Sequence, residues 1–180
     1  MVWRSLTKIP ALNTVGEGFE KGTVFLPQLL MSAEAAKTAF AVLKEKMDSS
    51  GEVQEKKGKI ILATVKGDIH DIGKNIVKVL LENYSFDVID LGKDVPPETI
   101  VDTVLEQDIH LVGLSALMTT TVVSMEETIR QLREKAPHCL VMVGGAVLNQ
   151  DYADMIGADF YGKDAMQSVH YAQRVFGTEE

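Results

Sequence analysis

Residues 59–74, KIILATVKGDIHDIGK, join a continuous apolar run to a short polar loop. The run Lys59–Val65 is rich in β-branched and aliphatic residues, which is typical of a strand buried on both faces of a parallel sheet. The loop that follows holds two glycines, two aspartates and a histidine: Gly67, Asp68, His70, Asp71 and Gly73. A helical pattern comes next. This order predicts the first β–α unit of a parallel α/β sheet.

The same alternation continues to the end of the chain. Four more apolar runs predict strands at Asp87–Leu91, Leu111–Ser115, Leu140–Gly144 and Phe160–Gly162. Helical periodicity predicts helices at Lys74–Tyr84, Pro97–Gln107, Met125–Lys135, Asn149–Ile156 and Ala165–Phe176. Five strands alternating with five helices predict an open, five-stranded parallel sheet with right-handed crossovers. Ligands of such sheets bind at the carboxyl ends of the strands, so the residues just after each strand are the candidate site.

The N-terminal part has helical periodicity only. One apolar stripe predicts a long helix with Pro27 in its first turn: Leu26, Leu29, Leu30, Ala33, Ala36, Phe40, Leu43 and Met47. A shorter helix is predicted before it from Ile9, Leu12, Val15 and Phe19, with its end marked by Gly16, Gly18 and Gly22. The polar stretch 48–58 has no periodicity and predicts a linker. The predicted organisation is a partial helical cap at 1–47, a linker at 48–58 and an α/β domain at 59–180.

Composition excludes several classes of protein. The chain has 180 residues, enough for a substantial core, and its net charge of −8 has the wrong sign for a nucleic-acid surface. A lone cysteine, Cys139, excludes an intrachain disulfide and a cysteine-based metal cluster. The sequence contains no apolar run near the roughly 18 residues of a transmembrane helix, and its first residues lack a signal-peptide core. We expect a cytoplasmic protein that binds neither nucleic acid nor membranes.

Polar residues follow three of the predicted strands. Asp68 is close enough in sequence to hydrogen-bond His70, as the partner of a metal-ligating histidine does. For Asp-x-His taken alone, a loop histidine satisfied by a helix N-terminal turn is the more common explanation. Four hydroxyls in residues 115–121 predict either caps of the next helix or a polar slot. The pair Gly144–Gly145 predicts either a close approach to a ligand or a plain turn.

The combination of these motifs resembles the cobalamin-binding domain. The ordered set is Asp68-x-His70-x-x-Gly73, Ser115-x-Leu117 and Gly144-Gly145. The longer string VKGDIHDIGKNIV, residues 65–77, resembles cobalamin-dependent methionine synthases and the corrinoid proteins of one-carbon methyltransferases. FEKGTVFLPQLLMSA, residues 19–33, resembles the helical cap that precedes this domain. The resemblance implies a flavodoxin-like (Rossmann-like) sheet preceded by a truncated cap, because the family's cap usually has four helices.

The resemblance also implies a role for individual residues. The cofactor is cobalamin, as methylcobalamin or a related corrinoid, with His70 as the lower axial ligand of cobalt. Asp68 and Thr121 extend a hydrogen-bond relay from His70, and the three form the implied catalytic set. The implied contacts of the corrinoid are Gly67, Ile69, Asp71, Gly73 and Thr119 near the ring, Ser115, Leu117, Gly144, Gly145 and Ala165 along the nucleotide tail, and Phe19, Leu26 and Leu29 over the upper face.

The implied function is methyl transfer, in which cobalt cycles between Co(I) and methyl–Co(III) between a donor and an acceptor. Residues 65–77 and the cap favour the cobalamin domain of a methionine synthase, which moves methyl from methyltetrahydrofolate to homocysteine. The alternative is a stand-alone corrinoid protein of a methanol, methylamine or methoxy-aromatic system, and a cobalamin-dependent sensor is a third possibility of another class. The implied partners are methyl-donor and methyl-acceptor domains or subunits, a reductive activation partner, and a second copy joined through the cap helices.

Overall fold

The computed structural model describes residues 10–29, 31–32, 34–35, 38 and 56–178 of the chain. The chain divides into two compact units, Met1–Glu55 and Lys56–Glu180, and each is described by itself. Within the described ranges, no helix is both long enough and apolar enough to cross a membrane.

The described residues of the first unit form two helical segments. Helix α1 spans Pro10–Glu20, and α2 is described at residues 26–29, 31–32, 34–35 and 38. The prediction that Gly16 and Gly18 end the first helix is wrong, since both lie inside α1. A β-carbon at Gly18 would lie 2.7 Å from Val24 Cγ2, so the missing side chain lets the following turn pack against the helix. Of the three glycines predicted to end the helix, Gly22 is the one with a left-handed φ, of 71°. Ile9 and the apolar stripe beyond residue 38 lie outside the described residues.

The second unit is a five-stranded, all-parallel sheet in the order β2-β1-β3-β4-β5. Its strands are β1 (Lys59–Val65), β2 (Asp87–Val95), β3 (Leu111–Ser115), β4 (Leu140–Gly144) and β5 (Phe160–Tyr161). Its helices are α3 (Ile72–Asn83), α4 (Pro97–Gln107), α5 (Val122–Lys135), α6 (Gln150–Met155) and α7 (Ala165–Val175), with a 3₁₀ turn at Thr119–Thr121. The predicted parallel α/β sheet is confirmed.

Strand β2 differs most from its prediction, because it continues four residues past Leu91. Gly92 and Asp94 have positive φ angles of 89° and 55°, and the pairing with β1 shifts register twice, after Leu62 and after Ala63. The Gly-Lys-Asp sequence therefore marks irregularities within a strand and not its end. Helices α3 and α5 begin two and three residues before their predicted starts, at Ile72 and Val122.

Successive side chains of each strand point to opposite faces of the sheet. One face packs against α4 and α5 and carries buried apolar side chains from the three central strands: Ile61, Ala63, Val65, Val112, Leu114, Val141 and Val143. We call it the α4/α5 face. The other, the α3/α7 face, carries the alternate residues, among them Leu62, Thr64, Gly113, Ser115, Met142 and Gly144. Helices α3 and α7 contact each other, and Phe86 and Phe176 pack there with ring centroids 5.7 Å apart.

Candidate functional site

The carboxylate of Asp68 organises the loop after β1. Oδ1 accepts from the backbone N–H of His70 at 2.9 Å and lies 2.8 Å from Nδ1 of the same residue. Oδ2 accepts from the backbone N–H groups of Leu117 at 2.7 Å and Met118 at 3.2 Å, and from the Thr121 hydroxyl at 2.9 Å. The loop after β1 is thereby fastened to the loop after β3.

Asp68 is a fully buried carboxylate whose charge is stabilised by donors. Burial by itself raises the pKa of the Asp68 carboxyl. The hydrogen bonds from His70, Leu117 and Thr121 outweigh burial, and they hold that pKa well below its usual range. An ionised carboxylate can only accept hydrogen bonds, so in the neutral imidazole of His70 the proton resides on Nδ1.

The His70 side chain is 46% exposed, and its Nδ1 is held by Asp68. Its hydrogen-bond partner is thus the buried carboxylate and not the N-terminal turn of α3. The role of His70 as a metal ligand stays a prediction. With Nδ1 protonated, Nε2 presents a lone pair, which is the tautomer that a metal-ligating histidine needs.

Thr121 connects the carboxylate to the loop after β3. Its hydroxyl lies 2.9 Å from Asp68 Oδ2 and 2.8 Å from the Met118 carbonyl oxygen, and the residue is buried. Thr121 is the N-cap of α5, yet its side chain makes no capping hydrogen bond. The Thr121 hydroxyl therefore does not cap α5, and it binds the carboxylate of the His70 loop instead.

Sequence reasoning missed Asp94, which holds the same loop from the β2 side. Its Oδ1 accepts from the Gly67 N–H at 2.7 Å, and its own N–H donates to the Asp68 carbonyl oxygen at 2.9 Å. Gly67 has a φ of 85°, a conformation that favours glycine. The sign of this contact in the sequence was an aspartate, Asp94, in the stretch Leu91–Val95.

A row of small residues crosses the α3/α7 face at the carboxyl ends of four neighbouring strands. It consists of Thr64, Ser115, Gly144 and Gly162, and we call it the small-residue row. Thr64 pairs with Ser115, and Ser115 with Gly144, in the register of the sheet. The Thr64 and Ser115 hydroxyls are 2.9 Å apart, and a β-carbon on Gly144 would lie 3.4 Å from the Gly162 carbonyl oxygen. The sequence did not indicate Thr64 or Gly162, because their adjacency depends on strand order.

The two glycines of the Gly144–Gly145 pair have different surroundings. Gly144 belongs to the small-residue row. Gly145 has a φ of 143°, and a β-carbon on it would lie 1.8 Å from the Ala116 carbonyl oxygen. Gly145 therefore permits the backbones that follow β3 and β4 to approach each other.

The surroundings of His70 are apolar and open. Ile69 and Ile72, on either side of it along the chain, are 61% and 76% exposed, and Leu117 is also exposed. A β-carbon on Gly73, in the first turn of α3, would meet no atom within 4 Å. Exposed apolar side chains around one histidine form a surface suited to a flat, largely apolar ligand.

The remaining predicted site residues lie at varied positions. Asp71 is the half-buried N-cap of α3, Thr119 is exposed, and Ala165 is the first residue of α7. In the first unit, Leu29 is buried, Phe19 is half-buried and Leu26 is exposed. A role of these three over the upper face of a corrinoid stays a prediction.

Comparison with known families gives two matches that together span both units. A family model described as B12 binding domain matches residues 58–170. A second model, also described as B12 binding domain, matches residues 8–44.

Similar proteins agree with these matches. The chain is 42% identical to trimethylamine corrinoid protein 1 of Methanosarcina acetivorans over 166 residues, which cover 91% of this chain and 77% of that protein. It is 41% identical to dimethylamine corrinoid protein 1 of the same organism, with 91% and 78% covered.

Solved structures extend the likeness to the fold. The crystal structure of a novel cobalamin-binding protein from Desulfitobacterium hafniense matches with a TM-score of 0.79 and 37% identity, covering 91% of this chain and 77% of that one. A chain of the methanol:cobalamin methyltransferase complex from Methanosarcina barkeri matches with a TM-score of 0.80 and 32% identity, covering 93% and 64%. These comparisons favour the alternative of a stand-alone corrinoid protein, and they do not support the methionine synthase interpretation.

Proposed function

This chain belongs to the B12 binding domain family and its cofactor is a corrinoid, and from that premise we propose that it is the corrinoid protein of a methylamine- or methanol-type methyltransferase system. In this role it carries a methyl group from one methyltransferase partner to another. The methylamine- or methanol-type system is supported by the identity with the methylamine corrinoid proteins. The structural observation that carries corrinoid binding is the arrangement of Asp68 and His70: a solvent-facing imidazole whose Nδ1 is fixed by a buried carboxylate, leaving Nε2 for a metal.

The donor set of the loop fits a corrinoid. Among the described residues, no group of three His, Cys, Asp or Glu side chains is arranged to hold a metal ion. One imidazole would instead suit a metal whose other nitrogen ligands come from the cofactor itself. The exposed Ile69 and Ile72 and the open space above Gly73 leave room for such a ring beside His70.

His70 would hold the cobalt of the corrinoid, with Asp68 and Thr121 fixing the tautomer and orientation of the imidazole. The nucleotide tail would then be free to lie against the sheet. The small-residue row, which begins with Thr64 at the carboxyl end of β1, offers the tail a strip of sheet without bulky side chains.

The corrinoid supplies the chemistry of methyl transfer through its cobalt. The residues of this chain bind and orient it: Asp68 holds His70, Asp94 and Gly67 hold the loop, and the apolar side chains keep water from the ring. Activation of a methylamine or methanol, and of the methyl acceptor, belongs to partner methyltransferases.

The test is electron paramagnetic resonance of the Co(II) form of the full chain, reconstituted with cobalamin. In protein labelled with nitrogen-15 histidine, we expect the hyperfine splitting from the axial ligand to change. The variant His70→Ala should lose this change. His110→Ala is the matched control, because His110 lies just before the amino end of β3, whereas His70 follows the carboxyl end of the neighbouring strand β1. A label effect that persists in His70→Ala would exclude His70 as the ligand.

A second measurement tests the substrate class. Methyl transfer to the Co(I) form should require a methylamine- or methanol-specific methyltransferase. Transfer from methyltetrahydrofolate with a folate methyltransferase at an equal rate would contradict the proposal.

A further inference from the structure

Lys74 is a buried lysine in the first turn of α3, four residues after His70. Its side chain is 2% exposed, and its ammonium group donates to Asp90 Oδ1 and, at 2.8 Å, to Asn75 Oδ1. A lysine is almost never fully buried unless it is paired. Corrinoid binding through His70 does not by itself require this pair.

Asp90 of β2 accepts hydrogen bonds from two elements. Its Oδ1 accepts from Lys74 and from the Gly92 N–H at 2.9 Å, and its Oδ2 accepts from Lys78 at 3.1 Å. Burial by itself raises the pKa of the Asp90 carboxyl, but these donors outweigh burial and hold that pKa below its ordinary value. Asp90 is therefore ionised at neutral pH, and its contact with Lys74 is an ion pair.

The ion pair lies at the first irregularity of β2. Asp90 and Gly92 pair with consecutive residues of β1, so Leu91 is an extra residue in β2. Asp90 spans this bulge, because its carboxylate also accepts from the Gly92 N–H. The pair with Lys74 thus fixes the first turn of α3 to the point where β2 changes its register.

Strand β2 contacts the loop after β1 a second time. Beyond the bulge, Asp94 accepts from the Gly67 N–H and donates to the Asp68 carbonyl oxygen. Gly67 and Asp68 lie at the start of that loop, whereas Lys74 lies just after its end. One strand therefore holds the loop at both ends, and the irregular segment Asp90–Asp94 sets the distance between the two attachments.

An ion pair at this place has a geometric role that packing does not supply. Apolar side chains of similar volume often stabilise a protein as well as a buried ion pair does, because both charges lose their hydration on burial. Directional hydrogen bonds between two charged groups instead select one arrangement of the elements that they join. The arrangement selected here is that of the first turn of α3 against β2, and the His70 loop leads into this turn.

We propose that the Lys74–Asp90 ion pair positions His70 for the cobalt of the corrinoid, by holding the far end of the His70 loop against β2. The inference rests on the proposed function, since it needs a corrinoid held through His70. Asp68 fixes the tautomer of the imidazole, and the ion pair fixes where the loop places that imidazole. Lys74 and Asp90 are then positioning residues, which act through the loop.

The test measures how much of the Co(II) protein has histidine bound to cobalt. The full chain, labelled with nitrogen-15 histidine, is reconstituted with cobalamin, and the bound label is recognised by its doublet splitting in electron paramagnetic resonance. Lys74→Met keeps an unbranched side chain and removes the charge. We expect the ratio of cobalt with histidine to cobalt without it to fall about 10-fold, the lower end of the range for an outer partner of a metal-ligating histidine.

A second variant leaves no unpaired charge. Loss of Lys74 alone strands the Asp90 carboxylate, which destabilises the fold. Lys74→Met combined with Asp90→Asn removes both charges, and the asparagine oxygen can still accept from the Gly92 N–H. The ratio should fall about 10-fold in this double variant as well.

Lys78→Met is the matched control. Lys78 pairs with the same carboxylate from one turn further along α3, and its side chain is 33% exposed. Because an exposed ion pair contributes little and Lys78 is remote from the loop, the ratio should stay within about 2-fold of the wild-type value.

Hydrogen exchange of the cofactor-free chain separates positioning from a general loss of stability. In the double variant, the Asn75 amide should exchange faster, because it donates to the Asp71 carbonyl oxygen in the first turn of α3. The amide of Val112, in the central strand β3, should keep its wild-type rate. Faster exchange at both amides would mean that the pair stabilises the whole unit, and it would overturn the inference.

An unchanged histidine ratio in the double variant, with the label effect present in the wild-type protein, would overturn the inference and leave the proposed function in place. Absence of the label effect in the wild-type protein would overturn both.

Discussion

The two faces of the sheet carry different kinds of side chain at the same level. At the carboxyl ends of the central strands, the α4/α5 face has Val65, Leu114 and Val143, which are buried in the main core. One residue earlier or later along the same strands, the α3/α7 face has Thr64, Ser115 and Gly144. The alternation of a strand thus lets one face supply the packing that stabilises the unit while the other leaves space and hydroxyls for a ligand.

The helices repeat this difference. On the α4/α5 face, Ile100, Val122 and Met125 are buried beside the strand ends. On the α3/α7 face, Ile72 is exposed and Ile76 is half-buried at the corresponding end of α3. We infer that substitutions on the first face change mainly stability, and that substitutions on the second change mainly corrinoid binding.

The largest effect is expected for Met125→Ala on the α4/α5 face. Met125 is fully buried in the core between α5 and the sheet, so truncation should lower the free energy of unfolding by about 2–5 kcal/mol. Corrinoid affinity of the folded protein should stay unchanged. Urea unfolding and cofactor titration measure the two quantities. A stability loss below about 1 kcal/mol would contradict the inference that substitutions on the α4/α5 face change mainly stability.

Asp68→Asn should have the next largest effect, because it places an amide among donors that all point at a carboxylate. We expect unfolding free energy at pH 7 to fall by about 1.5–3 kcal/mol, the range for hydrogen bonds to a charged group. The pKa of Asp68 is lower in the folded state than the unfolded value of about 3.9. Its ionic contribution is therefore present above about pH 4 and is lost as the pH falls through the folded pKa.

The difference between wild type and Asp68→Asn should accordingly shrink when urea unfolding is repeated at about pH 3. Asp71→Asn is the control in the same loop, since the Asp71 side chain makes no capping hydrogen bond. A gap of the same size at both pH values would show that the charge of Asp68 contributes nothing.

Gly144→Val tests the α3/α7 face directly. A side chain here would extend into the small-residue row, and overpacking of this kind costs about 1–3 kcal/mol, or about 5- to 150-fold in cobalamin affinity. Stability of the cofactor-free protein should change by less than the affinity does. Ala146→Val, at an exposed position two residues on, is the control. Unchanged cobalamin affinity in Gly144→Val would show that the nucleotide tail does not lie along the small-residue row.

The smallest effect is expected for Gly73→Ala, which should increase stability and decrease cobalamin affinity. Gly73 lies in α3 with open space around it, so alanine should raise the unfolding free energy by about 0.5–1 kcal/mol. The same methyl group would occupy the space assigned to the corrin ring and should lower affinity for cobalamin. Thermal unfolding and titration measure both. An increase in stability with no loss of affinity would mean that the ring does not approach Gly73.

Much of the fold could be predicted from the sequence, because it depends on local periodicity. Strands β1, β3 and β4 and helix α4 have their predicted bounds, since each is a clear apolar run or an amphipathic pattern with a boundary. The prediction was wrong for Gly16 and Gly18, which lie inside α1, and for the end of β2. Gly18 permits a close contact with Val24, and Gly92 lies at an irregularity of β2. A local sequence pattern does not distinguish such glycines from those of a turn.

For the site, the sequence by itself determined the residues of one continuous loop. Asp68 and His70 are two positions apart, so their hydrogen bond is a short-range contact that the motif alone could suggest. The tertiary structure decided what lies around that loop. Asp94 reaches the loop from 26 residues beyond Asp68, and Gly162 joins the small-residue row from 18 residues beyond Gly144. Their positions depend on strand order, on two register shifts and on which face each strand turns to a helix, and no local pattern encodes these.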